Sequence, residues 1–372
     1  MIIMQRVGTK IWEMLKQSGI FALTILFLSG CCIAEKQANP DEDHTLCEFP
    51  AQAGETDDAP RIQRAIQATP NGVLTIPRGT YRIATPLSIR NNCSLEMNRN
   101  AIFKAVAPMD VVLTIQDGKK PKGDCGGFMR GGTIDGNGMA SCLRIRNIYP
   151  RYTTADVVLL NGKNYGLRVD GGCQIVCNNF YAQCTMSGLA GNTAFIINGG
   201  DSYYTDCHAV DYTVGFDVWS GGSNRLTRCH SWGGPIPPVK PGEFPEMLKD
   251  SVNFRIRKAG SATILRDCYA DTGVIGYEIH GAETRLLGCN YFSNTKFKLD
   301  NITIIKHTDG RLLVSDGSFV KSAEHMTIYD GCGTVEWRNM FYWGWKPEDN
   351  CPGALKFNQQ NNSDQPTLNL AQ

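Results

Sequence analysis

Asp217, Trp219, Arg255, Arg257, Glu278 and His280 sit at matching offsets in three short runs. The runs are Gly215-Phe216-Asp217-Val218-Trp219, Asn253-Phe254-Arg255-Ile256-Arg257 and Gly276-Tyr277-Glu278-Ile279-His280. Side chains alternate across a strand, so if Phe216 and Val218 point inward, Asp217 and Trp219 point out. Stacked as parallel strands, such runs predict one outward column of Arg168, Ile196, Asp217, Arg255, Glu278 and Lys298. The next column is Asp170, Asn198, Trp219, Arg257, His280 and Asp300. Two carboxyl groups on one face suit glycoside hydrolysis, in which one protonates the leaving oxygen and the other activates water or attacks carbon. Two rungs apart, Asp217 and Glu278 are separated by roughly 9–10 Å, near the upper limit for inversion. Arg255 between them would hold one carboxylate ionised. β-Elimination instead needs a base for the proton beside a uronate carboxylate and a cation for the enolate. His280, Arg255, Arg257 and Lys298 supply both, and Trp219 offers a platform for a sugar ring. The plain alternative is a ladder of surface ion pairs, each stabilising little.

A second cluster competes with the first. His208, His230, Tyr269 and Asn290 form another outward column, with Trp232 two residues after His230. His230 and Trp232 are therefore additional substrate-binding candidates. Metal chemistry is poorly supported. Cys173 and Cys177 lack a histidine pair to complete a zinc set, and Asp206, Asp211 and Asp217 are too sparse for a calcium cage. The expectation is no metal and no cofactor.

A repeating element must position these residues. Four segments end in Cys207, Cys229, Cys268 and Cys289, at intervals of 22, 39 and 21 residues. Recurrence at this period marks a solenoid. The long interval is one coil plus an insertion rich in proline (Pro235, Pro237, Pro238, Pro241, Pro245). Proline cannot donate into a ladder, so Gly234–Lys249 is expected to leave the sheet as a loop. Phe195, Phe216, Phe254 and Tyr277 make one inward column, and Ile197, Val218, Ile256 and Ile279 the next. The four cysteines share a column too. Adjacent rungs permit Cys207–Cys229 and Cys268–Cys289 disulfides, while packing alone explains a column of reduced thiols. A stacked core of this kind needs no second domain.

Upstream, Gly54-Glu55-Thr56-Asp57-Asp58-Ala59-Pro60 opens a short helix, with Asp58 as N-cap and Pro60 in the first turn. Ile62, Ala65 and Ile66 lie on one helical face. After Pro70-Asn71-Gly72, residues Val73–Ile83 read as strand, turn, strand. This stretch resembles the N-terminal signature of the pectate-lyase-like superfamily, through Thr56, Asp57, Asp58, Pro77, Gly79, Thr80 and Tyr81; Glu55 departs from it. Gly131-Gly132-Thr133-Ile134-Asp135-Gly136-Asn137-Gly138 is similar to a second fragment of the same proteins. The resemblance implies an all-β fold, a right-handed parallel β-helix with a short N-terminal capping helix, and a carbohydrate substrate. It transfers no catalytic residue. The coils lack the Asn-Thr-Asp, Asp-Asp and Gly-His-Gly set of polygalacturonases and the Asp-Pro-His-Glu of alginate epimerases. Asp57 and Asp58 are read as structural, at the end of the solenoid.

The chain of 372 residues is 42% hydrophobic and 20% charged, which excludes a disordered protein. With 37 Lys+Arg against 36 Asp+Glu, no basic field invites nucleic acid. Arg6, Lys10 and Lys16 precede an apolar run from Ile20 to Leu28, too short to span a bilayer. The run ends in Leu28-Ser29-Gly30-Cys31, which resembles the lipobox of bacterial lipoproteins. That resemblance implies a signal peptide over 1–30, lipidation of Cys31 and placement in the cell envelope, in the outer membrane since no Asp follows Cys31. Residues 31–46 then read as a flexible tether and 47–372 as one β-helix domain. The resulting expectation is a lipid-anchored protein that cleaves a complex or acidic polysaccharide by hydrolysis or β-elimination. The alternatives are a non-catalytic glycan-binding surface protein or a polysaccharide epimerase. The sequence leaves the oligomeric state open.

Overall fold

The structure is a computed structural model that describes residues 42–116, 126–148, 151–186, 189, 191–233, 250–293, 299 and 301–345. The signal segment, Cys31, the Pro-rich insertion and Lys298 lie outside the described residues. Within them, every strand pairing is parallel, and the chain winds through about nine turns with one short α-helix. Among the described residues no helix is long and apolar enough to cross a membrane.

Each full coil contributes to three faces. Around the site, the first face carries Val214–Gly222, Val252–Ser261 and the first half of Ile275–Leu287. The second face carries Arg225–Thr227, Thr263–Arg266 and the second half of Ile275–Leu287, so that first and second faces merge into one 20-stranded sheet. The third face is a separate sheet of 11 short strands, including His208–Val210, His230–Trp232 and Tyr269–Asp271.

The corner between second and third faces explains the period. Asp156, Asn179, Asp206, Arg228, Asp267, Gly288, Asp316 and Asn339 all have positive φ. Asn, Asp and Gly tolerate this left-handed conformation best, so one residue turns the chain sharply. From Asp156 to Asp316 each corner N–H is kept satisfied by the next coil, as in Asp206 N–H donating to Thr227 O at 3.1 Å and Asp267 N–H to Leu287 O at 2.8 Å. Arg228 is the unfavourable exception, and its guanidinium donates to both Asp206 oxygens at 2.7 Å.

Just after this corner, Cys207, Cys229, Cys268 and Cys289 point inward. All four are buried free thiols. Instead of disulfides they make thiol contacts to carbonyls of the preceding coil, 3.4 Å from Cys229 Sγ to Tyr204 O, from Cys268 to Leu226 O and from Cys289 to Leu265 O. The aromatic column also stands. Phe195, Phe216, Phe254 and Tyr277 are fully buried and stack at centroid separations of 4.6, 5.0 and 5.3 Å. Those spacings are the inter-strand distance itself, and burial of each ring contributes about 1.5–3 kcal/mol. The aliphatic column runs Ile197, Val218, Ile256 and Ile279, then continues into His307, which is also fully buried.

The N-terminal end differs from expectation in two details. Asp58 makes no side-chain cap; Asp57 Oδ1 accepts from Ala59 N–H at 2.8 Å and from Ala84 N–H at 3.2 Å. Asp58 instead accepts from Arg82 N–H at 2.6 Å, so both carboxylates bind the helix Ala59–Ala68 to the first coil. The expected tether also ends earlier. His44–Thr45 pairs with Leu74 and Thr75, Leu46 is buried, and Asp43 Oδ1 accepts from Val73 N–H at 2.7 Å. This short strand covers the otherwise unpaired edge of the first coil.

Candidate functional site

The first face brings Asp217, Arg255 and Glu278 into direct register on three consecutive strands. Arg255 lies between the two acids, with Nε 2.5 Å from Glu278 Oε2 and Nη1 3.9 Å from Asp217 Oδ2. Asp217 is only 1% exposed, and Arg257 donates to both of its oxygens, at 2.8 and 2.6 Å. Neither oxygen is left over for a substrate, so Asp217 anchors Arg257. Glu278 is 7% exposed. Burial pushes its pKa up, but the hydrogen bond and charge of Arg255, with His280 and Lys306 nearby, outweigh this and hold it below the usual range. Such a carboxylate accepts protons poorly and cannot act as the protonated acid that glycoside hydrolysis requires.

His280 completes the arrangement. Its Nε2 lies 3.3 Å from Glu278 Oε1, while Nδ1 is 3.0 Å from Thr308 Oγ1. The side chain is one-third exposed and that of Arg257 44%, so a ligand can reach both.

Three expected column members change place. The outward position after Glu278 is Lys306, not Lys298. The position opposite His280 is Asp309, not Asp300. Trp219 does not face Asn198, because the register shifts and Asn198 pairs with Ser220. Trp219 is thus the extra residue of a β-bulge, and bulges re-aim side chains. Its ring carries two guanidiniums, that of Arg257 4.7 Å and that of Arg168 5.1 Å from the centroid. Since these arginines come from coils on either side, the ring is engaged by cations rather than open to a sugar. A companion cluster lies two coils earlier, where Arg144 and Arg168 each donate to Asp170 at 2.7 Å.

The remaining candidates lie on the third face, away from this cluster. His208, His230, Tyr269 and Asn290 are in register there, and Trp232 opposes Asp271. His230 stacks on Tyr269 at 4.8 Å and its Nε2 lies 3.5 Å from Asp271. Among the described residues, no three His, Cys, Asp or Glu side chains gather closely enough to hold a metal ion. Sequence reasoning overlooked Thr308, Lys306 and Arg144. Thr308 was detectable only as one surplus residue when Ile305-Lys306-His307-Thr308-Asp309 is laid on Tyr277-Glu278-Ile279-His280.

No family model and no curated protein sequence matches the chain. Solved structures do. A protein of Geobacillus virus E2, ORF18, superposes with a TM-score of 0.57 at 17% identity; the match covers 81% of this chain but only 61% of the viral one. A hyperthermoactive exopolygalacturonase from Thermotoga maritima gives 0.54 at 11% identity, covering 81% of this chain and 92% of that one. PfbA, a surface adhesin of Streptococcus pneumoniae, gives 0.53 at 12%, covering 81% and 90%. This is the right-handed β-helix fold of the pectate-lyase-like proteins. The same β-helix scaffold thus serves an exopolygalacturonase and an adhesin, and at these identities the likeness concerns the fold alone.

Proposed function

We propose that this β-helix protein binds a polysaccharide along its first face and acts on it through His280, with Glu278 as the carboxylate that orients the imidazole. The observation that carries the proposal is the part-exposed His280 held at 3.3 Å by a Glu278 that Arg255 keeps ionised. A base fixed by a buried carboxylate is arranged for proton abstraction. The neighbouring guanidiniums of Arg255 and Arg257 favour a glycan bearing acidic groups and stabilise an enolate. Of the two cleavage reactions expected from the sequence, β-elimination therefore fits better than hydrolysis by Asp217 and Glu278. The second reading, adhesion without turnover, is favoured by the closed Asp217–Arg257 pair, which resembles a structural clamp. Lipidation at Cys31 and an outer-membrane location are part of the same proposal and rest on the Leu28–Cys31 motif.

The test is incubation with a panel of uronic-acid and neutral polysaccharides, reading binding, reducing ends and the absorbance of unsaturated products together. Binding with unsaturated ends is the expected result. Reducing ends without unsaturation would restore hydrolysis, binding without any product would establish adhesion, and absence of binding to every glycan would end the proposal.

A further inference from the structure

Thr308 has a geometry that neither cleavage reaction uses. Glu278 is ionised and can only accept, so the imidazole nitrogen facing it, Nε2, must carry hydrogen. In the neutral ring the lone pair then lies on Nδ1. The group 3.0 Å from Nδ1 is the Thr308 hydroxyl, so the hydroxyl is the donor in that contact. The competing acceptor, Ile279 O, is farther away at 3.4 Å. An alcohol whose proton points at an imidazole that is itself held by a buried carboxylate is the arrangement of an activated nucleophile.

The backbone pairing agrees with this contact. Ile279 pairs with His307 and His280 pairs with Asp309, so Thr308 is the unpaired residue of a β-bulge. Because His307 points inward, alternation already turns Thr308 outward beside His280; the shift makes Asp309 the paired residue and leaves Thr308 unpaired next to the imidazole. Thr308 is exposed, and beside His280 the chain needs glycine at 281, where φ is +75° and neighbouring side chains fill the room a Cβ would take. A Cβ on Gly281 would lie 3.2 Å from Asp309 Oδ2 and 3.4 Å from Lys258 Cγ.

We propose that Thr308, His280 and Glu278 form an acyl-transfer centre that removes ester-linked acyl groups from a polysaccharide. It rests on the proposed function only in that the glycan lies on the first face. Thr308 Oγ attacks the acyl carbonyl carbon, and its proton passes to His280 Nδ1. The tetrahedral intermediate collapses with cleavage of the bond to the sugar oxygen, which leaves as a hydroxyl with the proton from His280. Water, deprotonated by His280, then attacks the acyl-threonine; the products are a free carboxylic acid and the restored Thr308 hydroxyl.

The test uses the full chain with p-nitrophenyl acetate and with acetylated polysaccharides, measuring released acetate, and a fluorophosphonate probe located by peptide mass spectrometry. The expected result is label on Thr308 that disappears in His280→Ala. Acetate release should fall by about 10³-fold or more in Thr308→Val, with partial rescue in Thr308→Ser. Undiminished acetate release by Thr308→Val, or no acetate from any ester while the glycan still binds, would overturn the acyl-transfer centre but leave glycan recognition intact. Loss of glycan binding by the native chain on every polysaccharide tested would count against the proposed function instead. Melting temperatures of the variants, expected unchanged for an exposed side chain, separate chemistry from misfolding.

Discussion

The first and third faces both display histidines among aromatic and charged neighbours, yet they use them in opposite ways. On the third face the register is unbroken, and Tyr181, His208, His230 and Tyr269 follow one another ring upon ring, with centroid separations of 6.3, 5.7 and 4.8 Å. The contacts are tilted, edge-on and stacked in turn, and His230 is 30% exposed against 33% for His280, so exposure does not distinguish the two faces. On the first face the register breaks at Trp219 and again at Thr308. There His280 contacts Glu278 and Thr308 instead of another ring. The difference lies in backbone pairing rather than residue type. A regular ladder lets neighbouring side chains satisfy one another, whereas a bulge leaves one residue outside the column and directs it elsewhere.

The largest expected consequence is catalytic. His280→Ala should lower turnover on whichever glycan substrate is found by about 10²–10⁴-fold, the usual worth of general acid–base assistance. His208→Ala and His230→Ala should leave it within about twofold of wild type, the third face lying outside the proposed reaction. Turnover numbers under saturating substrate decide this, and the reverse pattern would move the site to the third face.

Stability should separate the faces next. Arg257→Leu leaves the buried Asp217 carboxylate with Arg255 at 3.9 Å as its remaining cation. Breaking a buried pair from one side is costly, and a loss of about 2–4 kcal/mol is expected in urea unfolding, the part-exposed Arg257 keeping it at the lower end. His230→Ala removes a ring stack and should cost only about 0.5–1.5 kcal/mol. Equal losses would mean that Asp217 and Arg257 are an ordinary surface pair.

Acidification gives the smallest and most graded effect. Burial holds His208 below its usual 6.5, with the charge of neighbouring His230 adding to it, and burial does the same to His307. The unfolded chain therefore binds more protons, and stability should decline as pH drops below about 6.5 toward the lower folded values. Glu278 and Asp170 contribute a second window. Burial raises both, but their arginine partners outweigh it and place them below 4.5 and 3.8. Their stabilisation is complete above those unfolded values and is lost as pH falls through the depressed folded ones. Unfolding midpoints between pH 8 and pH 3 test both windows, and His208→Ala should flatten the first while leaving the second in place.

Much of the fold was legible because its signals are local and periodic. Alternation about Phe216, Phe254 and Tyr277 identified the inward columns, and the Cys207-to-Cys289 recurrence identified the coil. The Thr56–Tyr81 stretch announced the capped start. The cysteine question was not legible, since a column of thiols and a column of disulfides share one spacing. Burial of Asp217 was also hidden. An alternating pattern says which side of a strand a residue occupies, but not how completely Arg257 and its neighbours cover it.

Sequence alone determined the period, the inward rings and the shared face of Asp217, Arg255 and Glu278, because alternation and coil length are carried by each strand separately. Tertiary structure decided which of those residues meet. Lys306 replaces Lys298 beside Glu278 and Thr308 lies against His280 through the pairing of their coils, while Trp219 meets Arg168 and Arg257 and Asp309 replaces Asp300 through register shifts. The physical reason is that a one-residue bulge alters pairing between strands without disturbing the pattern within either. Its consequences exist only where two coils touch.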